Sequence, residues 1–134
     1  MYNKLMNKRT RSILLVFFMS FLLSLFGCAS KGKYTHISQD EAARIMAEET
    51  GFVIVDVREA SEYSDGHIKG AINVPLSTIG NEKIDILPDL DQRILVYCRS
   101  GVRSKKASEK LSNIGYTKIL EFGGIMTWKG EIEK

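Results

Sequence analysis

The chain has 134 residues, which is enough for one ordinary domain, and it carries 19 basic against 16 acidic side chains. Four of the basic residues and none of the acidic ones precede Cys28, so the remainder is nearly neutral, with 15 basic and 16 acidic residues. The positive net charge therefore belongs to the first segment, and this distribution excludes a function based on a basic nucleic-acid-binding surface.

Residues 1–27 have the pattern of a secretory signal. The segment begins with basic residues, which are Lys4, Lys8, Arg9 and Arg11. An apolar run over 13–26 follows and leads to Gly27 and Cys28. This run is shorter than the roughly 20 residues that a bilayer-spanning helix needs, so we expect a signal peptide that is removed. An uncleaved membrane anchor is the alternative.

The tetrapeptide at 25–28, Leu-Phe-Gly-Cys, resembles the lipobox of bacterial lipoproteins. The resemblance implies that Cys28 is lipidated on its sulfur and becomes the new N-terminus. Several acyl chains on one residue hold a domain stably at a membrane. We therefore expect a short tether over 28–33, a domain over 34–134, and a location on the extracytoplasmic face of a cell membrane. A free cysteine after an ordinary signal or anchor is the alternative.

The first part of the expected domain predicts two helices that flank a buried strand. Ser38 and Glu41 form a Ser-x-x-Glu capping box, and the helix that follows ends at Gly51. The run FVIVDV at 52–57 is nearly continuous in β-branched residues, which is typical of a strand buried on both faces. Residues 59–65 are polar and predict one short helix.

The second part continues the alternation of strands and helices. The predictions are a strand at 71–74 that Pro75 stops, partly helical structure over 76–87, a buried strand at 93–97, a helix at 104–114, a strand at 118–122 and a final short helix holding Trp128. Alternating elements imply a single α/β domain, with a central parallel sheet and helices on both faces. Ligands of such sheets bind at the carboxyl ends of the strands, where Cys98 falls.

The run VYCRSGVRS at 96–104 places a cysteine between a strand end and a basic loop that contains glycine. Such a loop can turn its N–H groups inwards as an anion-binding nest, with a helix N-terminus behind it. These dipoles and the charges of Arg99 and Arg103 favour a thiolate at Cys98. A buried structural cysteine is the alternative, but a basic turn makes a poor core.

The run CRSGVRS at 98–104 resembles the active-site loop of single-domain rhodaneses. Blocks at 56–59 (DVRE), at 62–75 and at 111–128 match the same family pattern in the same order. The resemblance extends from about Ile37 to Trp128, and it implies a rhodanese-like domain. Related phosphatases have one more residue between the cysteine and the arginine, so phosphatase or arsenate-reductase activity is not expected.

The resemblance implies a sulfurtransferase or sulfur carrier. The Cys98 thiolate would attack the outer sulfur of a donor such as thiosulfate, release sulfite and become a persulfide, which a thiol or another thiophilic acceptor then discharges. The residues expected to bind the anionic donor and the terminal sulfur are Arg99, Ser100, Gly101, Val102 and Arg103. No metal and no organic cofactor is implied, and the membrane is the only other expected partner.

Asp56 and Arg58 lie where a predicted strand ends, beside the edge that carries Cys98. They are expected to support the loop or the substrate, and a structural ion pair or cap is the favoured interpretation. His67 is interpreted as a structural residue and Trp128 as a core or pocket-wall residue. Two other classes of function stay open: a rhodanese-fold binding module without catalysis, and a redox protein that uses one cysteine and an external thiol.

Overall fold

A computed structural model describes residues 33–134. The predicted signal peptide, Cys28 and the tether as far as residue 32 lie outside the described residues. Among the helices of 33–134, none is both long enough and apolar enough to cross a membrane.

The described chain alternates short strands with helices. The strands are β1 (Thr35–His36), β2 (Phe52–Asp56), β3 (His67–Ile68), β4 (Ala71–Asn73), β5 (Arg93–Cys98), β6 (Lys118–Gly124) and β7 (Ile132–Glu133). The helices are α1 (Gln39–Glu48), α2 (Ala60–Asp65) and α3 (Val102–Ile114), with single 3₁₀ turns at Leu76–Thr78 and Ile125–Thr127.

Five strands form one parallel sheet in the order β1-β6-β5-β2-β4, and β3 pairs with β7 in a separate antiparallel ribbon. Strand β5 lies at the centre of the sheet, and Cys98 is its last residue. The register between β5 and β6 shifts near this end, because Val96 faces Glu121 whereas Cys98 faces Gly124. Such an irregularity changes the direction of the side chains beside it.

The sheet carries an apolar core on each face. On one face Ile94 and Val96 of β5 belong to a cluster with Ala107 and Leu111 of α3. On the other face the alternate residue Leu95 belongs to a cluster with residues of α1. Side chains of a strand alternate between faces, so a strand covered on both sides is apolar at most of its positions. The predicted α/β fold, a parallel sheet with helices on both faces, is confirmed.

Several predicted elements differ by one or two residues from the observed ones, and the last two helices illustrate why. Helix α3 begins at Val102, two residues earlier than predicted, because Gly101 adopts a positive φ of 100° and precedes the helix as its N-cap. The final helix is reduced to a 3₁₀ turn, and Trp128 follows directly after it.

The segment 76–87, predicted to be partly helical, contains a single 3₁₀ turn and is otherwise irregular. A side chain rather than a helix satisfies part of its backbone. The Tyr116 hydroxyl accepts the N–H of Ile84 at 3.0 Å and donates to the carbonyl of Leu87 at 2.7 Å. Since Tyr116 is distant in sequence, the local pattern gave no sign of this arrangement.

Candidate active site

Cys98 lies at the carboxyl end of the central strand, and only 1% of its surface is exposed. The backbone N–H of Gly101 donates a hydrogen bond to its Sγ atom at 3.0 Å. Burial is the largest single influence on this thiol and by itself raises the pKa. When Cys98 is ionised, hydrogen bonds from the Ser104 hydroxyl and from the N–H groups of Ser104, Gly101 and Ser100 outweigh burial, so the pKa of Cys98 is lowered.

The loop after Cys98 closes around the sulfur because of one glycine. Gly101 has a φ of 100°, which an L side chain rarely adopts, and this conformation directs its N–H toward the cysteine. Helix α3 starts at the next residue and has no side-chain cap. The N-terminus of a 13-residue helix therefore adds its partial positive charge behind the loop, which favours an anion there.

The two loop arginines differ in their partners. Arg103 forms a bidentate ion pair with Glu62, with nitrogen–oxygen distances of 2.6 and 2.8 Å. The hydrogen bond from Arg103 lowers the pKa of Glu62 to about 2. The Arg99 side chain is exposed and makes no ion pair or hydrogen bond within residues 33–134. Both arginines were expected to attract an anionic donor. Arg103 is paired with Glu62, whereas Arg99 has no ion-pair partner within 33–134.

Ser104 and Glu121 also belong to the site, and the sequence did not suggest them. The Ser104 hydroxyl lies 3.5 Å from the Sγ atom of Cys98 and donates to Glu121 at 2.6 Å. Glu121 is fully buried. The one available signal was a carboxylate in the otherwise apolar run of a buried strand.

Asp56 and Arg58 form a buried ion pair at the end of β2. Nη2 of Arg58 lies 2.6 Å from the Asp56 carboxylate and 2.7 Å from the carbonyl oxygen of Gly66. The hydroxyl of Tyr97 donates to the same carboxylate at 2.7 Å. None of these bonds reaches Cys98, so the pair joins β2 to β5 and to the turn after α2 rather than touching the sulfur.

His67 and Trp128, which the sequence analysis also singled out, pack against other side chains of the domain. The His67 ring stacks on Tyr63 with centroids 3.7 Å apart, and its Nδ1 lies 3.0 Å from the Tyr63 carbonyl oxygen. Trp128 is partly buried and packs against the cluster on the α1 face. Across 33–134 the structure contains no group of three or more His, Cys, Asp or Glu residues placed to hold a metal ion.

Gly123 and Gly124, at the end of β6, lie against the backbone of the loop that follows Cys98. A Cβ atom added at Gly124 would collide with the backbone of Arg99 and Ser100. The N–H of Met126, just beyond the pair, donates to the Arg99 carbonyl at 3.2 Å. The loop can occupy its position only because residue 124 has no side chain.

We therefore expect Gly124→Ala to slow the alkylation of Cys98 by about 100-fold, since a displacement of about 1 Å can have an effect of that size. Gly80→Ala is the matched control, because a Cβ atom at Gly80 meets nothing within 4 Å. The alkylation rates of the two variants are to be compared with that of the parent. Equal rates for all three proteins would contradict the close contact described above.

Comparisons with known proteins identify a family and several relatives of this chain. A family model described as a rhodanese-like domain matches residues 38–131. The uncharacterized protein YqhL of Bacillus subtilis is 31% identical over 128 residues, which cover 90% of this chain and 94% of that protein. The thiosulfate sulfurtransferase PspE of Escherichia coli is 38% identical over 71 residues, or 53% of this chain and 68% of PspE.

A further relative and one solved structure add to this comparison. The tRNA uridine(34) hydroxylase of Bdellovibrio bacteriovorus is 31% identical over 110 residues, which cover 75% of this chain but only 30% of the hydroxylase. A rhodanese with anions from E. coli has a TM-score of 0.56 and 36% identity, and the alignment covers 61% of this chain and 96% of that one. The match thus covers less than a third of the hydroxylase and nearly the whole of the E. coli rhodanese.

Proposed function

The chain belongs to the rhodanese-like family, and from that premise we propose that it moves sulfane sulfur through a persulfide on Cys98. The observation that carries the proposal is the arrangement around Sγ, where backbone N–H groups and the N-terminus of α3 converge on one buried sulfur. This arrangement favours a thiolate and suits a second anionic sulfur bound to it.

The proposed reaction has two half-reactions, with thiosulfate as the model donor. In the first, the electron pair of the Cys98 thiolate attacks the outer sulfur of thiosulfate. The sulfur–sulfur bond of the donor breaks, and sulfite leaves with its electron pair. In the second, a thiolate or another thiophilic acceptor attacks the terminal sulfur, and the Cys98 thiolate is released. Covalent catalysis of this kind predicts ping-pong kinetics.

The donor is an anion, and the exposed Arg99 is the loop cation that lacks an ion-pair partner within 33–134. We expect Arg99→Ala to raise the KM for thiosulfate about tenfold, equivalent to about 1.4 kcal/mol of binding energy, with a smaller effect on kcat. Added salt is expected to weaken binding by the parent and to have less effect on the variant.

Steady-state kinetics with thiosulfate as donor and cyanide as acceptor test both the proposal and the role of Arg99. Lys105→Ala is the matched control, since it removes an exposed positive charge from α3 two residues after Arg103. Parallel double-reciprocal lines and a raised KM in Arg99→Ala alone are the expected results. If Lys105→Ala raises KM equally, the effect belongs to overall charge and not to Arg99.

We also propose that Cys28 carries a lipid anchor that holds the domain on the extracytoplasmic face of a cell membrane. The support comes from the basic start, the apolar run and the tetrapeptide before Cys28. Growth with a labelled fatty acid is expected to label the parent but not Cys28→Ser. Label in both proteins would contradict lipidation at this residue, and an intact 134-residue mass in the labelled parent would contradict cleavage of the signal.

A further inference from the structure

The structure contains a buried carboxyl group beneath the cysteine loop that the proposed sulfur chemistry does not use. Glu121 lies on β6, is fully buried, and has polar partners within hydrogen-bond distance of both of its oxygens. Oε1 accepts from the Ser104 hydroxyl at 2.6 Å and from the N–H of Gly123 at 2.8 Å. Oε2 lies 2.6 Å from Nδ1 of His36. A buried carboxyl with this many partners is held in one orientation, which points at Ser104.

Ser104 connects this carboxyl group to the nucleophile. Its oxygen lies 3.5 Å from the Sγ atom of Cys98. Oε1 of Glu121, at 2.6 Å, is a closer acceptor for this hydroxyl than the carbonyl oxygens of Gly101 and Gly123, at 3.0 and 3.3 Å. A hydroxyl carries one hydrogen, and the 2.6 Å distance indicates that this hydrogen is donated to Glu121. The lone pairs of the Ser104 oxygen are then free to accept the thiol hydrogen. The contacts form one continuous series, from the thiol through the hydroxyl to the carboxylate.

Charge repulsion favours a single negative charge within this series. The two contact distances limit the separation of Sγ and Oε1 to about 6 Å. At that separation and an effective dielectric constant of about 20, repulsion between a thiolate and a carboxylate disfavours the doubly charged state about 100-fold. When Cys98 becomes an anion, a proton on Glu121 relieves this repulsion.

This inference rests on the proposed function. We propose that Glu121 is a positioning residue that holds the proton released by Cys98 for as long as Cys98 carries the sulfur. As the S–H bond breaks, its proton passes to the Ser104 oxygen, and the hydroxyl proton of Ser104 passes to Oε1 of Glu121. The electron pair left on Sγ attacks the donor. In the second half-reaction the bond between Sγ and the terminal sulfur breaks, its electron pair returns to Sγ, and the proton returns by the same route.

The buried carboxyl group of Glu121 is connected to solvent through a neighbouring side chain. Titratable groups near it are Cys98 on β5, His36 on β1 and Tyr34 just before β1. The pKa of Tyr34 is raised by burial and by the carboxylates of Glu109, on α3, and Glu121. The His36 side chain is 62% exposed, so its ring links the buried carboxyl group to water.

Infrared difference spectra of the thiol and persulfide states test the proposal. The sample is the full-length chain in detergent with Cys28→Ser, so that Cys98 is the one thiol, and thiosulfate is the donor. On persulfide formation we expect the carbonyl band of a protonated carboxylic acid to appear and to shift in heavy water. The band is expected to be absent in Glu121→Gln, which keeps the shape of the side chain, and present in the control Glu82→Gln, which alters an exposed carboxylate.

Intact mass of each sample separates failure of this inference from failure of the proposed function. Added sulfur without the acid band in the parent, or the same band in Glu121→Gln, overturns the role of Glu121 alone. Absence of added sulfur overturns the proposed function and this inference with it. As a second measurement, Glu121→Gln is expected to slow discharge of the persulfide about 100-fold, with a rate that falls as the pH rises because the proton must come from solvent. A pH profile identical to that of the parent would overturn the inference.

Discussion

Replacing Cys98 with alanine is expected to abolish sulfur transfer, with a loss of at least about 10⁴-fold in turnover, while the domain stays folded. The thiolate is the group that attacks the donor in the proposed reaction, and no other thiol lies within residues 33–134. Removing a covalent nucleophile leaves only the contribution of the surrounding donors, which is why the loss is so large. The substitution removes one buried sulfur atom, so we expect the free energy of unfolding to fall by only about 1 kcal/mol.

Turnover with thiosulfate and thermal unfolding of the same samples check this prediction. Cys28→Ser is the matched control, because it removes the other cysteine of the chain and is expected to keep full turnover. Substantial turnover in Cys98→Ala, or equal loss in both variants, would contradict the assignment of Cys98 as the nucleophile.

Asp56→Ala is expected to destabilise the domain by about 3–5 kcal/mol, a large share of the 5–15 kcal/mol that a typical domain has. The substitution leaves the Arg58 guanidinium buried without its carboxylate, and it also removes the acceptor of the Tyr97 hydroxyl. An uncompensated buried charge is costly because water cannot solvate it. The loss is therefore expected in the free energy of unfolding, and not in the reactivity of Cys98, which Asp56 does not contact.

Urea unfolding measures this effect, and an exposed ion pair provides the control. Glu131 pairs with Lys69, and both side chains are largely exposed, so Glu131→Ala is expected to leave the unfolding midpoint unchanged. If Asp56→Ala unfolds at the same urea concentration as Glu131→Ala, the buried pair is not the structural junction between β2 and β5 described above.

The elements with strong local patterns were predictable from the sequence. The runs around Val55 and Leu95 are nearly continuous in apolar residues, as is typical of strands covered on both faces. The capping residue Ser38 marks the start of α1, where its hydroxyl accepts the N–H of Glu41. The loop after Cys98 was recognisable because its cysteine, glycine and two arginines lie within six residues, 98–103. In each case the information lies within a few neighbouring residues.

The remaining features of the site depend on residues that are distant in the chain. Glu62 and Arg103 are 41 residues apart, and Ser104 and Glu121 are 17 apart. Only the order of the strands in the sheet brings these pairs together. Gly124 is required by the backbone of a loop on another strand, which a sequence pattern does not reveal. The two-residue strands β1, β3 and β7 are too short to show any periodicity.

The intact mass of the full-length chain before and after exposure to thiosulfate is the most direct test of persulfide chemistry. We expect a gain of one sulfur atom that is lost on adding a reductant and is absent in Cys98→Ala. No gain with any of several sulfane-sulfur donors, in a folded protein whose Cys98 still reacts with an alkylating agent, would contradict persulfide formation on Cys98 and favour a binding or redox function.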